Sequence, residues 1–348
     1  MLREIGGRPI GRSHPVFVIA EIGLNHGGRL DAALALVDAA AAAGASAVKL
    51  QTLHADSLVA PDCPAPAHVE VSSLRDFFRT FELDAHAHRA VVDRARHHGL
   101  AVMSTPFSEG VLPMLESLNL DAYKIASGDL TNDVLVAAAA RTGRPLVIST
   151  GMSDLDEVLR AVEVARDNGA TQLALLHCVS AYPTPVDSQN LLAIRTLGDA
   201  TGLPVGLSDH GPGLVSAVIA ATLGATLYER HLVASDEDDA IDRAVSSTPA
   251  ELAAIVDALA QTRLALGDGI KRCLDAEAPN RTPSRRGLYA AVPLRAGDVV
   301  KAEDIAVLRP AGGLSPAMRE RLIGTILTRD VPAGAPFLAT DLAVVEPA

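Results

Sequence analysis

Short runs of β-branched and apolar residues alternate along this chain with longer, alanine-rich amphipathic segments. That alternation is the signature of parallel strands joined by crossover helices. Eight such pairs can be read. The strand runs are VFVIAEI ending near Glu21, SAVKLQ near Gln51, LAVMSTP near Thr105, AYKIAS near Ser127, PLVIST near Thr150, LALLHC near Cys178, PVGLSD near Asp209 and TLYERH near His231. Helices are expected after each, for example over 31–43, 84–98 and 249–266. Eight consecutive units in roughly 230 residues predict a closed (β/α)8 TIM barrel, an α/β fold, over 1–270. No Gly-x-Gly-x-x-Gly turn follows the first strand, which disfavours a dinucleotide fold.

The stretch 52–83 after the second strand is too long for an ordinary connection and contains Pro61, Pro64 and Pro66, so a lid or partner-facing insertion is expected there. A polar, basic, proline-containing segment, 271–287, reads as a linker. A second, β-rich domain of about 60 residues is expected over 288–348. The 348 residues are 49% hydrophobic, enough for a sizeable core. Net charge is -12, so a broad cationic face for nucleic acid or anionic lipid is unexpected, and any anionic substrate must be met by local cations. Cys63, Cys178 and Cys273 show no paired spacing, and neither a signal-peptide core nor a membrane-length apolar run is present. These features predict a cytoplasmic protein without membrane or nucleic-acid partners.

In such a barrel the active site lies at the C-terminal ends of the strands. Nearly every expected strand ends in polar residues: Glu21; Lys49 and Gln51; Ser104 and Thr105; Lys124 and Ser127; Ser149 and Thr150; His177; Ser208 and His210; Glu229 and His231. Lys49 and Lys124 fall inside apolar strands, where an unpaired ammonium costs several kcal/mol. They are either paired structurally, with Glu21 or Asp129, or they hold an anion. Together with the hydroxyls of Thr105, Ser127, Ser149 and Ser208 they suit a ligand carrying both phosphate and carboxylate, as phosphoenolpyruvate does. His210 and His231 end neighbouring strands and are candidate ligands of one metal ion. His177 stays open between packing and direct contact, and Cys178 reads as a small core residue.

The motifs EIGLNHGG, VKLQT, STPFS, YKIASGD, ISTGM, LLHCVSAYPTP, GLSDH and ERH, in this order, strongly resemble the N-acetylneuraminate (sialic acid) synthase family. RPAGGLSP resembles the antifreeze-like (SAF) domain that ends those chains. The resemblance implies an enzyme that condenses phosphoenolpyruvate with an amino-sugar aldehyde, N-acetylmannosamine by default, into a nine-carbon 2-keto acid. Lys49, Thr105, Lys124, Ser127, Ser149 and Ser208 are similar to the phosphoenolpyruvate ligands. His210 and His231 resemble ligands of a divalent metal, Mn2+ first and Mg2+ or Co2+ as alternatives. Gln51, Ser180, Tyr182 and Asp242, with Glu21, match positions near the sugar. The resemblance also implies a domain-swapped homodimer in which Arg309 reaches the partner's sugar. Glu21, or alternatively Asp129, is expected to manage protons.

The sequence departs from the family at Ser180, usually Asn, and at Asp239, Ala240, Ile241 and Asp242, usually Pro-Gly-Pro-Asp. Both departures touch the sugar, so a different amino sugar is open: one giving legionaminate, pseudaminate or a 9-phosphate. A Schiff-base aldolase using Lys49 or Lys124 and a noncatalytic carbohydrate binder are the competing readings.

Overall fold

The computed structural model describes residues 2–61, 63, 73–235 and 239–341. It divides into two compact units at Gly267 and Asp268. In the first, eight strands alternate with eight helices: β1 (Phe17–Glu21), α1 (Leu30–Ala42), β2 (Ala47–Thr52), α2 (Ala85–His97), β3 (Ala101–Pro106), α3 (Leu112–Ser117), β4 (Ala122–Ile125) and α4 (Asp133–Arg141), then β5 (Leu146–Ser149), α5 (Leu155–Asp167), β6 (Leu173–Cys178), α6 (Ala193–Thr201), β7 (Val205–Asp209), α7 (Val215–Leu223), β8 (Leu227–Leu232) and α8 (Pro249–Leu266). All neighbours pair in parallel, and β8 pairs with both β7 and β1, so the sheet closes. The expected strand ends lie within two residues of the observed ones.

Local chemistry starts and stops these elements. Asp84 accepts the amide of Ala87 at the head of α2 (2.7 Å), and Asn132 does the same for α4 through Leu135. Thr248 and Glu251 form a capping box ahead of α8, with Pro249 in the first turn. On α1 the buried residues Ala33, Leu36, Val37 and Ala40 recur at helical spacing, which is why an alanine-rich segment can lie flat on the sheet.

Two apolar clusters follow from the period of two in the strands. The outward residues, such as Val48, Val102 and Leu207, pack against the helices. The inward ones, Phe17, Ile19, Ala47, Met103, Val147, Leu176 and Leu227 among them, fill the barrel's N-terminal half. A short antiparallel hairpin, Glu4–Ile5 with Arg8–Pro9, precedes β1, and Leu2, Ile5 and Ile10 join this inner cluster. With that end filled by carbon, the polar inward positions are left at the C-terminal end.

The segment expected as a lid contains short helices at Ala55–Leu58 and Leu74–Arg79; its Pro64 and Pro66 lie outside the described residues. The segment expected as a linker is not wholly extended, since Ala278–Ser284 is helical, with Asn280 and Arg285 amides bonded back to Glu277 and Arg281. The second unit pairs Gly287–Ala290 with Ile305–Leu308 in antiparallel fashion over a core including Leu288, Leu322, Leu327 and Phe337.

Gly206 shows how tightly the barrel interior is filled. A Cβ there would sit 2.3 Å from the Leu227 carbonyl oxygen and 2.7 Å from Leu176. Gly206→Ala is therefore expected to lower stability by about 1–3 kcal/mol in urea unfolding; an unchanged midpoint would contradict this packing.

Candidate active site

Strand alternation and register decide which polar residues meet. His231, Glu21 and Lys49 occupy one row across β8, β1 and β2, and Cys178, Ser208 and Glu229 another across β6, β7 and β8. Residues one position away face the helices instead. Thus Ser104 bonds Thr52 on the outer face (2.7 Å), and His177 Nε2 lies 2.8 Å from the Gln189 carbonyl. His177 is a packing residue, and neither it nor Ser104 lines the central cavity.

That cavity has a volume of about 360 Å3. Glu21, Lys49, Gln51, Thr105, Lys124, Ser127 and Ser149 line it from the first five strands and their loops. Ser180, Tyr182, Ser208, His210, His231 and Asp242 close it from the other side. Asp129 is not among its lining residues: it sits half-buried in the turn after β4, its carboxyl raised by burial. Arg309 belongs to the second unit, where it is exposed.

At its floor run four buried charges of alternating sign. Lys49 Nζ contacts Glu21 Oε2 and lies 3.6 Å from Glu229 Oε2; Lys124 Nζ is 3.4 Å from Glu229 Oε1. The partner of Lys124 is therefore Glu229, not Asp129. Ser208 donates to Glu229 (2.9 Å), and Lys49 donates to Thr105 (3.0 Å). Burial alone would raise Glu229, yet Lys124 and Lys49 outweigh it and hold the carboxylate low. Burial likewise depresses Lys49, but Glu21 and Glu229 reverse the sign and raise it. Lys124 stays lowered, since burial and the Lys49 charge oppose the pull of Glu229.

Glu229 is the functional residue that its sequence position undersold. The signal was present, because in the triplet ERH the glutamate shares a strand face with His231. Glu21 is further fixed by the Gly23 amide, which donates to its Oε1 at 2.6 Å. Only glycine fits there: a Cβ would lie 2.4 Å from Gln51 Cγ and 2.5 Å from Glu21 Oε1.

The two histidines stand with ring centroids 5.5 Å apart. His210 Nδ1 lies 3.1 Å from the Val179 carbonyl and 3.7 Å from Cys178 Sγ, so its other nitrogen is left for a ligand. His231 Nδ1 approaches Asp242 Oδ2 at 3.2 Å. Burial depresses this imidazole, but Asp242 and Glu21 prevail and raise it. Behind them, Asp209 accepts from Ser216 (2.5 Å), Tyr228 (2.7 Å) and the Gly211 amide (2.8 Å), and Arg230 bonds Ser247 (3.0 Å). Asp209 and Arg230 (3.7 Å apart) precede the two histidines in sequence and pin both strand ends from the outer face. Ser149 Oγ and Ser180 Oγ are buried without hydrogen-bond partners, an arrangement suited to ligand oxygens.

A closed barrel with paired lysines, hydroxyls and histidines gathered at its C-terminal rim has the arrangement of an enzyme of the (β/α)8 class. The chain belongs to the NeuB family, whose model matches residues 36–271, and a SAF domain matches 285–343. It is accordingly a phosphoenolpyruvate-dependent transferase that forms a carbon–carbon bond. It is 35% identical to N,N'-diacetyllegionaminic acid synthase of Legionella pneumophila over 97% of both chains. It is 32% identical to pseudaminic acid synthase of Campylobacter jejuni over 94% of this chain and 96% of that one. The structure of N-acetylneuraminic acid synthetase from Leptospira borgpetersenii, in complex with citrate, is similar at a TM-score of 0.72 and 32% identity, covering 80% of this chain and 94% of that chain. No helix among the described residues is long and apolar enough to cross a membrane.

Removing the central counter-ion tests this charge arrangement. Glu229→Gln leaves two buried ammonium groups facing a single carboxylate and is expected to cost about 3–5 kcal/mol of stability. With its pKa depressed from 4.5 to about 2, the Glu229 contribution is complete above pH 4.5 and lost as pH falls toward 2. Acid unfolding of the variant should lack that part of the slope; identical acid profiles would contradict the assignment.

Proposed function

We propose that the protein is a nonulosonic acid synthase, joining phosphoenolpyruvate, an N-acetylated amino-hexose in its open-chain aldehyde form and water into a nine-carbon 2-keto sugar acid and phosphate. The observation that carries this reading is the convergence of both lysines, the four hydroxyls and both histidines on one cavity. Lys49, Lys124, Thr105, Ser127, Ser149 and Ser208 would hold the phosphate and carboxylate, positioning carbon 3 of the enol toward the aldehyde carbon. Gln51, Ser180, Tyr182 and Asp242 would hold the sugar, with N-acetylmannosamine as the reference acceptor.

The four floor charges cancel, so an incoming phosphate and carboxylate add negative charge that a cation must offset. Two buried imidazoles, one backed by a carbonyl and one by a carboxylate, fit a divalent first-row ion such as manganese. Among the described residues no group of three or more His, Cys, Asp or Glu side chains is placed to hold a metal. The two facing imidazoles, His210 and His231, are the residues that would hold it. When bound, the ion supplies Lewis-acid polarisation of the acceptor aldehyde.

In the reaction the enol's carbon 3 forms a bond to the aldehyde carbon, whose oxygen takes up a proton. Water adds at carbon 2 and gives up a proton, and the bond between carbon 2 and the phosphate oxygen breaks to release phosphate. Glu21, paired with Lys49 and next to His231 in register, is the group we assign to these proton transfers. Arg309 lies on an exposed strand end of the second unit, and we assign it to the acceptor bound in a second copy of the chain.

Phosphate release from phosphoenolpyruvate should require an amino-sugar acceptor and a divalent metal, and a chelator should abolish it. His210→Ala should lose at least about a hundredfold in kcat while keeping a cooperative unfolding transition; full activity in that variant would remove the metal reading. Mixing inactive His210→Ala and Arg309→Ala chains should restore activity to about a quarter of wild type, because half the dimers then carry one intact site of two. No recovery would place Arg309 in its own chain's site or outside the chemistry.

A further inference from the structure

A cavity of about 730 Å3 lies at the N-terminal face of the barrel, at the opposite end of the strands from the catalytic one. Val205, the first residue of β7, and Thr226, which precedes β8, line it from the sheet. Gly202 and Gly224, which end α6 and α7 in the left-handed conformation at φ 67° and 98°, contribute bare backbone to its wall. Leu2, Ile10, Leu203 and Leu266 add apolar surface, and every lining residue belongs to the first unit.

Three guanidinium groups converge on this space in a chain whose net charge is -12. Arg12 comes from the loop before β1, Arg195 from α6 and Arg263 from the last turn of α8. Among the described residues none of the three has an ion pair or a side-chain hydrogen bond, and Asp199, the one acid of the lining, pairs with none of them. A Cβ on Gly224 would lie 3.2 Å from Arg12 Cζ, Nε and Nη2, so this guanidinium packs face-on against the turn that ends α7. Thr226 supplies an independent signal. Its amide donates to the Val205 carbonyl and its carbonyl accepts from the Phe17 amide, both at 3.0 Å. Its Oγ1 has no hydrogen-bond partner, although the residue is only 5% exposed. A buried hydroxyl left unpaired is costly unless a ligand or a water completes it.

We propose that this cavity is a second ligand site, separate from the catalytic one, and that it takes a nucleoside diphosphate. Three guanidinium groups match the charge of about three that such a diphosphate carries at neutral pH, and the planar fork of each can hold two phosphate oxygens at once. The volume falls within the roughly 300–1,000 Å3 of small-molecule pockets, and inorganic phosphate alone would leave most of it empty. The base would lie against the apolar surface and the bare backbone at Gly202, and the Thr226 hydroxyl would bond a ligand oxygen.

Calorimetric titration of uridine and adenosine 5'-diphosphate into the full-length protein should show one molecule of one or both bound per chain. Arg12→Ala and Arg263→Ala should each weaken that binding by about tenfold or more, and inorganic phosphate or uridine alone should bind at least about tenfold more weakly than the diphosphate. Thr226→Val removes an unpaired buried hydroxyl, so its urea midpoint should equal or exceed that of the wild type while diphosphate affinity falls. That combination separates a ligand contact from a structural one. Lys124→Met, altered in the catalytic cavity, should bind the diphosphate as the wild type does. No binding of either diphosphate, or unchanged affinity in both arginine variants, would overturn the proposal and leave the arginines as counter-charges to the helix C-termini. Loss of binding in folded Lys124→Met would put the nucleotide in the catalytic cavity, and inorganic phosphate binding as tightly as the diphosphates would reduce the site to one for a bare anion; either result would overturn it as well.

Discussion

Four charges buried at the top of a carbon-filled barrel, Glu21, Lys49, Glu229 and Lys124, govern the rest of the structure. Each would be prohibitively costly alone, and each is tolerable because its neighbours carry the opposite sign. Their positions on three neighbouring strands and one further round fix how the barrel must close, since a slip of one residue in any of them would turn a charge toward the apolar helices. The same residues form the cationic and anionic floor against which a phosphate and a carboxylate can be positioned. On the function proposed, stability and catalysis therefore depend on one interaction.

Around that floor the protein uses its two faces differently. Inward positions carry the groups that line the cavity, and the adjacent outward positions carry the residues that fix them. Asp209 next to His210 and Arg230 next to His231 are tied to Ser216, Tyr228, Gly211 and Ser247, so the imidazoles are held from behind. The motifs GLSDH and ERH thus encode both a chemical group and its support.

Much of this was legible from residue order alone. Eight apolar runs each ending in polar residues predicted the closed barrel and pointed to the rim. Period-two alternation refines this: it separates Lys49 and Gln51 from Thr52, and Ser208 from Asp209, and it sends Ser104 and His177 to the helices. Glu229 was visible as a strand-end residue, but its role as partner to both lysines depends on distances across the barrel that no linear spacing reveals. Asp129, the alternative to Glu21 for proton transfer, lies in the turn after β4 and does not line the cavity. The cavity at the N-terminal face was equally hidden, since its walls come from segments more than two hundred residues apart, such as Arg12 and Gly224, which lie in contact.

On the function proposed, the buried lysines serve a phosphoenolpyruvate site. Calorimetric titration of phosphoenolpyruvate into the wild-type protein and Lys124→Met, with manganese present, tests it most directly. Binding should be saturable at one molecule per chain in the wild type and weakened by about tenfold to a hundredfold in the variant, as expected for losing a charged hydrogen bond. Equal affinity in the two proteins, or no binding in the wild type, would mean that the alternating charges hold the barrel together and nothing more.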